Sequence, residues 1–253
     1  MNGMQELETK SQKVAARAAY SDERGMDGGF MNEAEAMRIA IQGTRFQRLS
    51  TGLKAFGRLL LNPDDTTQIF LMGIVLNAPM FPELLLRMMT SDEGVRLVEE
   101  RPVINSQTVD FDALRRLPRA TLGGAYVRYL DENKLDPDLF KPPPGLPAVP
   151  RWVVTRVRQT HDVWHALTGY GPDVPGELSL QAFTYGQLGM PSAVMVATLG
   201  TLTRAPRSMR SVMRGYRRGK AAKFLPVVRF ESMWQRPLEE VRRELDIAPL
   251  FQS

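Results

Sequence analysis

The chain of 253 residues contains no cysteine and only two histidines. Without a thiol there is no disulfide scaffold, no thiolate zinc site and no cysteine nucleophile, which fits a reducing compartment. Acid is also missing over a long stretch. From Leu178 to Phe230 there is no Asp or Glu, while nine Arg and Lys occur there, most of them in RAPRSMRSVMRGYRRGKAAK at 204–223. Long apolar runs are scarce. Residues 66–89 are apolar, but Asn77, Pro79, Pro82 and Glu83 interrupt them, well short of the roughly 18 to 20 residues that a bilayer span needs. The first thirty residues carry Glu6, Glu8, Asp22, Glu23 and Asp27. Neither an acid-poor transit peptide nor a secretory signal has that pattern, so a cytoplasmic, bacterial protein is expected.

What remains is an ordinary soluble composition, 43% hydrophobic and 24% charged, with a net charge of +5. Residues 1–33 are polar and read as a loosely ordered arm, and 34–253 as a single helical domain. A helical rhythm from Glu33 to Leu61 places Phe46, Leu49, Leu53, Phe56 and Leu60 on one apolar stripe, and Asn62-Pro63 stops it. Two core helices follow over 66–89. Thr90 and Glu93 form a capping box, Asp110 caps a short helix, and Thr121 precedes another. The segment 136–150 has six prolines and reads as a linker or an extended strap ahead of a helix over 151–170. Pro237 opens a last helix. Only PVVRF, 226–230, resembles a strand. The fold class is therefore all-α.

Both histidines lie four residues apart in HDVWH. On a helix, positions i and i+4 face the same way about 6 Å apart, the geometry by which two imidazoles grip one ion. Glu177 follows His165 after a Gly- and Pro-rich turn, TGYGPDVPG, that can return a second helix beside the first, with Glu177 in its first turn. Asp162 points about 100° away around the helix, so it is either a ligand reached by a bent geometry or an acceptor for an imidazole N–H. Two His with one or two carboxylates suit zinc foremost, then iron, manganese or cobalt, and leave a position open to substrate.

These residues resemble the Coq-four family of ubiquinone (coenzyme Q) biosynthesis proteins, whose signature is HDxxH, eleven residues, then Glu. The similarity extends to NP at 62–63, ERP at 100–102, LPRATLGGAY at 117–126, Arg156 and Arg158 before the motif, Gln187, Gly189 and Pro191 after it, and RFESMWQRPLEEVRRELDI at 229–247. It covers roughly residues 50 to 248. One departure stands out. The family usually follows GE with a pattern like xxxKWFE, and here Gln181, Ala182 and Thr184 replace the lysine, tryptophan and glutamate.

The resemblance implies an all-α protein peripheral on the cytoplasmic face of the inner membrane. It implies a polyprenylated benzoate-derived ring as substrate, and oxidative removal of its C1 carboxylate with replacement by a hydroxyl. His161, Asp162, His165 and Glu177 are then the metal and catalytic residues, with one divalent ion as cofactor, and Arg156 and Arg158 meet an anionic substrate group. Other quinone-biosynthesis enzymes and a second copy of the chain are the expected protein partners. The alternative is a prenyl-lipid-binding scaffold that organises those enzymes without chemistry of its own.

Two further segments bear on lipid. Between Glu177 and Arg204 lie 26 uncharged residues, which read as core helices or as the lining of a prenyl groove. Arg207, Arg210, Arg214 and Arg217–Arg218, with Met209, Val212, Met213 and Tyr216 between them, have the layout of a helix on an anionic membrane. No recognition module for nucleic acid accompanies the charge, so none is expected as partner.

Overall fold

The computed structural model describes residues 32–61, 66–139, 146–248 and 250. The expected N-terminal arm, the Asn62-Pro63 stop and the centre of the Pro-rich segment lie outside them. Among the described residues there is no strand, and the structure is all-α as expected. The packing falls into two compact units, one through Val75 and the other from Leu76.

The first unit contains α1 (Glu33–Gln42), α2 (Arg45–Leu61) and most of α3 (Thr66–Asn77). The single helix expected from Glu33 to Leu61 is two. Thr44 and Gln47 explain the break. The Gln47 side chain accepts from the Thr44 N–H at 2.8 Å, and the Thr44 hydroxyl accepts from the Gln47 N–H at 3.1 Å. That reciprocal cap starts a new helix. The stripe also differs. Thr51, Gly52, Ala55 and Phe56 are the buried residues of α2, while Phe46 is 79% exposed and Leu49 and Leu53 are exposed too.

Leu71–Met88 is long and apolar enough to cross a membrane by length and composition only, with a mean hydropathy of 1.3. This is more than its uninterrupted runs suggest. It is broken by a 3-10 turn, Ala78–Met80, before α4 (Phe81–Met88), and 44% of it is buried inside the protein. α5 (Asp92–Glu100) is capped by Ser91 rather than Thr90: the Ser91 hydroxyl accepts from Gly94 N–H at 3.1 Å, and Thr90 instead donates to the Arg87 carbonyl. Asp110 caps α6 (Phe111–Arg116), and Thr121 caps α7 (Leu122–Asn133), both as the sequence indicates.

The second unit is built around α8 (Ala148–Thr168) and α9 (Val174–Leu188). Trp152, Val163, Trp164 and Leu167 of α8 bury against a core that includes Tyr126 and Leu130 of α7 and Leu180 and Phe183 of α9. The uncharged stretch becomes α9 and α10 (Pro191–Arg204), separated at Gly189. α11 (Met209–Ala221) crosses α9 closely through Gly215 and Gly219, where a Cβ would lie 2.2 Å from the carbonyl oxygens of Ser179 and Phe183. PVVRF is not a strand. It falls in two 3-10 turns, Leu225–Val227 and Phe230–Ser232, because Pro226 has no N–H to give a ladder and no strand runs beside it. The C-terminal segment instead ties the start of α7, with Leu122 and Gly123 N–H donating to the Arg236 and Trp234 carbonyls, before α12 (Leu238–Glu244).

Candidate metal centre

His161 and His165 sit on one face of α8 because the helix is continuous through both. It ends where Gly169, at φ +77°, turns the chain left-handed and its N–H closes on the His165 carbonyl at 2.8 Å. A glycine adopts that backbone without the Cβ penalty that other residues meet. The turn returns as α9, with Glu177 in its first turn. The result is a cluster in which one nitrogen of each imidazole and a Glu177 oxygen lie within 4.8 Å of one another. His161 Nε2 is 3.4 Å from Glu177 Oε1, and His165 Nε2 is 3.1 Å from Glu177 Oε2.

The surroundings orient these groups. His165 is buried, and its Nδ1 lies 2.9 Å from the Tyr170 carbonyl. A carbonyl only accepts, so Nδ1 carries the proton and Nε2 is turned towards Glu177. Tyr129 of α7 stacks on the His165 ring, 4.7 Å between centroids and 15° between planes. Asp162 lies 3.7 Å from His161 Nδ1, behind the ring from Glu177. The structure therefore places Asp162 beside the imidazole and outside the converging three. The site is half open: the His161 side chain is 26% exposed and that of Glu177 37%.

Electrostatics follow from this crowding. Burial works against a charged His161, but the Glu177 and Asp162 carboxylates outweigh it and push its pKa up to about 10. Burial likewise opposes an ionised Glu177, yet the two imidazoles hold its carboxyl well below the usual range. Burial first, then the charges of Asp162 and Glu177, push the Tyr129 phenol up, so it stays a neutral donor. Two imidazoles and one carboxylate converging at this spacing fit a divalent ion of the zinc, iron, manganese or cobalt type.

The comparisons agree with the motif. The family model described as coenzyme Q (ubiquinone) biosynthesis protein Coq4 matches residues 38–250. The chain belongs to the Coq4 family. Among Coq4 relatives, the mitochondrial ubiquinone biosynthesis protein homologue of Aedes aegypti is 29% identical over 226 residues, 85% of this chain and 81% of the relative. The Mus musculus homologue is 28% identical over 215 residues, 83% and 81% of the two chains. A solved structure from Nostoc punctiforme, described as a ubiquinone biosynthesis protein, has a TM-score of 0.63 at 25% identity. The match covers 78% of this chain and 97% of that one.

Not every expected Coq4 site residue reaches the cluster. Arg156 is 3% exposed, and its guanidinium is bound by both Glu231 oxygens and the Val228 carbonyl. Its charge holds the segment after α11 against α8 and is not presented to a substrate. Arg158 is half-buried on α8, one turn before His161 and Asp162. Arg218 is likewise no surface charge. It is buried and donates to the Thr168 carbonyl at 2.8 Å and the Ala248 carbonyl at 2.6 Å, and Val212 is buried beside α9. Sequence reasoning missed Tyr129, which has no spacing relation to the motif, and undervalued Gln181. That side chain, one turn beyond Glu177, donates to Glu177 Oε1 at 3.0 Å and lies 3.5 Å from His161 Nε2.

Proposed function

We propose that this Coq4-family chain is a metal-dependent enzyme of ubiquinone biosynthesis that replaces the C1 carboxylate of a polyprenylated benzoate-derived ring with a hydroxyl. The convergence of His161, His165 and Glu177 at a half-open site carries this reading. A divalent ion held there supplies Lewis-acid stabilisation of the charge that develops as the carboxylate departs. The bond from ring C1 to the carboxylate carbon breaks, CO2 leaves and an oxygen arrives at C1. The exchange is a two-electron oxidation, and with dioxygen as the oxidant it balances as ring carboxylic acid, O2 and water giving ring phenol, CO2 and H2O2.

The chain's own groups divide the remaining work. Asp162 steadies His161 from behind, and the Tyr170 carbonyl and the Tyr129 ring steady His165. We assign an anionic ring substituent to Arg158, half-buried on α8 one turn before the motif. The outward face of α11 carries exposed Met209, Arg210, Met213, Arg214, Arg217 and Lys220, a pattern suited to peripheral attachment at an anionic inner-membrane surface.

The test uses Glu177→Ala in a strain lacking its own copy of the gene. The expected outcome is loss of bound metal and accumulation of a prenylated precursor that still bears its C1 carboxylate, with circular dichroism and lipid co-purification near wild type. A scaffold that presents lipid to partner enzymes is the second reading, favoured by the substituted residues at 181, 182 and 184. Full restoration of quinone synthesis by metal-free Glu177→Ala would establish it in place of the enzyme.

A further inference from the structure

The cluster has a fourth polar group that the motif does not include. Gln181 is half-buried on α9, four residues beyond Glu177 and so on the same helical face. Its amide nitrogen lies 3.0 Å from Glu177 Oε1 and 3.5 Å from His161 Nε2. The recognised ligand atoms stand 3.4 Å apart between His161 and Glu177 and 3.1 Å apart between His165 and Glu177. Bonds of about 2.1 Å to one ion set neighbouring donor atoms about 3.0 to 3.4 Å apart, in octahedral or tetrahedral arrangement. The amide end of Gln181 therefore sits at ligand spacing from Glu177 Oε1 and just beyond it from His161 Nε2.

We propose that Gln181 is a fourth protein ligand of this centre, presenting its amide oxygen to the ion. The inference rests on the metal-dependent reading above. An amide is nearly symmetric in shape, and a half-turn exchanges its nitrogen and oxygen. Beside a bare carboxylate the N–H end is favoured, because Glu177 offers it lone pairs. Beside a cation those lone pairs are engaged, the N–H end is repelled, and the carbonyl oxygen is drawn in. The lysine of the usual family pattern cannot do this while charged, since an ammonium group has no lone pair. In this chain the set that would hold the ion is then two nitrogens and two oxygens.

The competing role is simpler. Gln181 would only donate to Glu177 and steady it. Substitution by glutamate separates the two, because it keeps the length, adds a ligand charge and removes the N–H. As a ligand, Gln181→Glu binds a divalent ion more tightly than wild type. As a mere donor, the same change leaves the atoms bound to the ion unaltered, so the visible spectrum of bound Co2+ stays at wild type whatever the added charge does to affinity.

The experiment titrates purified protein with Co2+ against a chromogenic chelator and records the visible spectrum of the bound ion, which reports the number and type of ligands. Circular dichroism of the metal-free variants checks that they fold, as the half-buried position allows. Gln181→Ala is expected to weaken Co2+ binding roughly 10- to 100-fold and to change band intensity, while Gln181→Glu tightens it and changes the spectrum too. Unchanged affinity and spectrum in Gln181→Ala, or a wild-type spectrum in Gln181→Glu, overturns the ligand role while wild type still binds one equivalent. A wild-type protein that takes up no Co2+ overturns the metal reading itself, and the role of Gln181 with it.

Discussion

Two clusters of opposite charge share α8 and are put to different uses. In its first half, Arg156 meets Glu231 in a two-pronged pair that also takes in the Val228 carbonyl. In its second half, His161 and His165 meet Glu177. Both bring cation-capable nitrogens against a carboxylate at contact distance. Arg156 is 3% exposed, and Glu231 occupies two of its N–H donors, so the pair is closed. The histidine cluster is half open, and imidazole, unlike guanidinium, offers a lone pair once its proton leaves. The difference teaches that a charge near a motif can be spent on holding the fold, as that of Arg156 is.

The largest expected effect breaks the first cluster alone. Arg156→Met strands Glu231 and should cost about 3 kcal/mol of stability, measured by urea unfolding, while metal content per folded molecule stays at wild type. A cost below about 1 kcal/mol, or a loss of metal, would erase the distinction between the two clusters. A smaller effect sharpens the second. Tyr129→Leu removes the ring stacked on His165 and should lower Co2+ affinity roughly tenfold in the same chelator competition, with quinone precursor binding retained. Unchanged affinity would mean that the Tyr170 carbonyl alone orients the imidazole.

The smallest effect uses a surface cluster as contrast. Glu93 pairs with Arg229, which also reaches Glu100. The hydrogen bond from Arg229, then that from Arg96, holds the Glu93 carboxyl below its usual range. Because its folded pKa is lowered, its contribution is present above the ordinary carboxylate value of 4.5 and fades as pH falls through the lowered one. Glu93→Gln should therefore cost no more than about 1 kcal/mol at pH 7, shrinking towards zero in acid. A cost that persisted in acid would show that packing, not charge, is lost.

Much of the site was legible because its determinants are local. A separation of four puts two histidines on one face of any helix, and a Gly- and Pro-rich turn of fixed length returns Glu177 beside them. The caps at Asp110 and Thr121 were equally readable, each using a side chain three residues from the N–H that it accepts. Elsewhere competing local signals lie side by side in the chain. Ser91 displaced Thr90 as a cap, and the Thr44–Gln47 cap divided a continuous apolar rhythm.

By itself, then, the sequence determined the helical class, the His161–His165–Glu177 grouping and the family, since periodicity, spacing and motif order survive in a linear text. Tertiary structure alone decided which arginine is closed by Glu231, which basic residue of α11 is buried under Thr168, and which aromatic ring covers His165. It also decided that the Gln181 amide of α9 stands 3.5 Å from His161 Nε2 of α8. Those outcomes depend on distances between residues far apart in the chain, and no local pattern of residues encodes them.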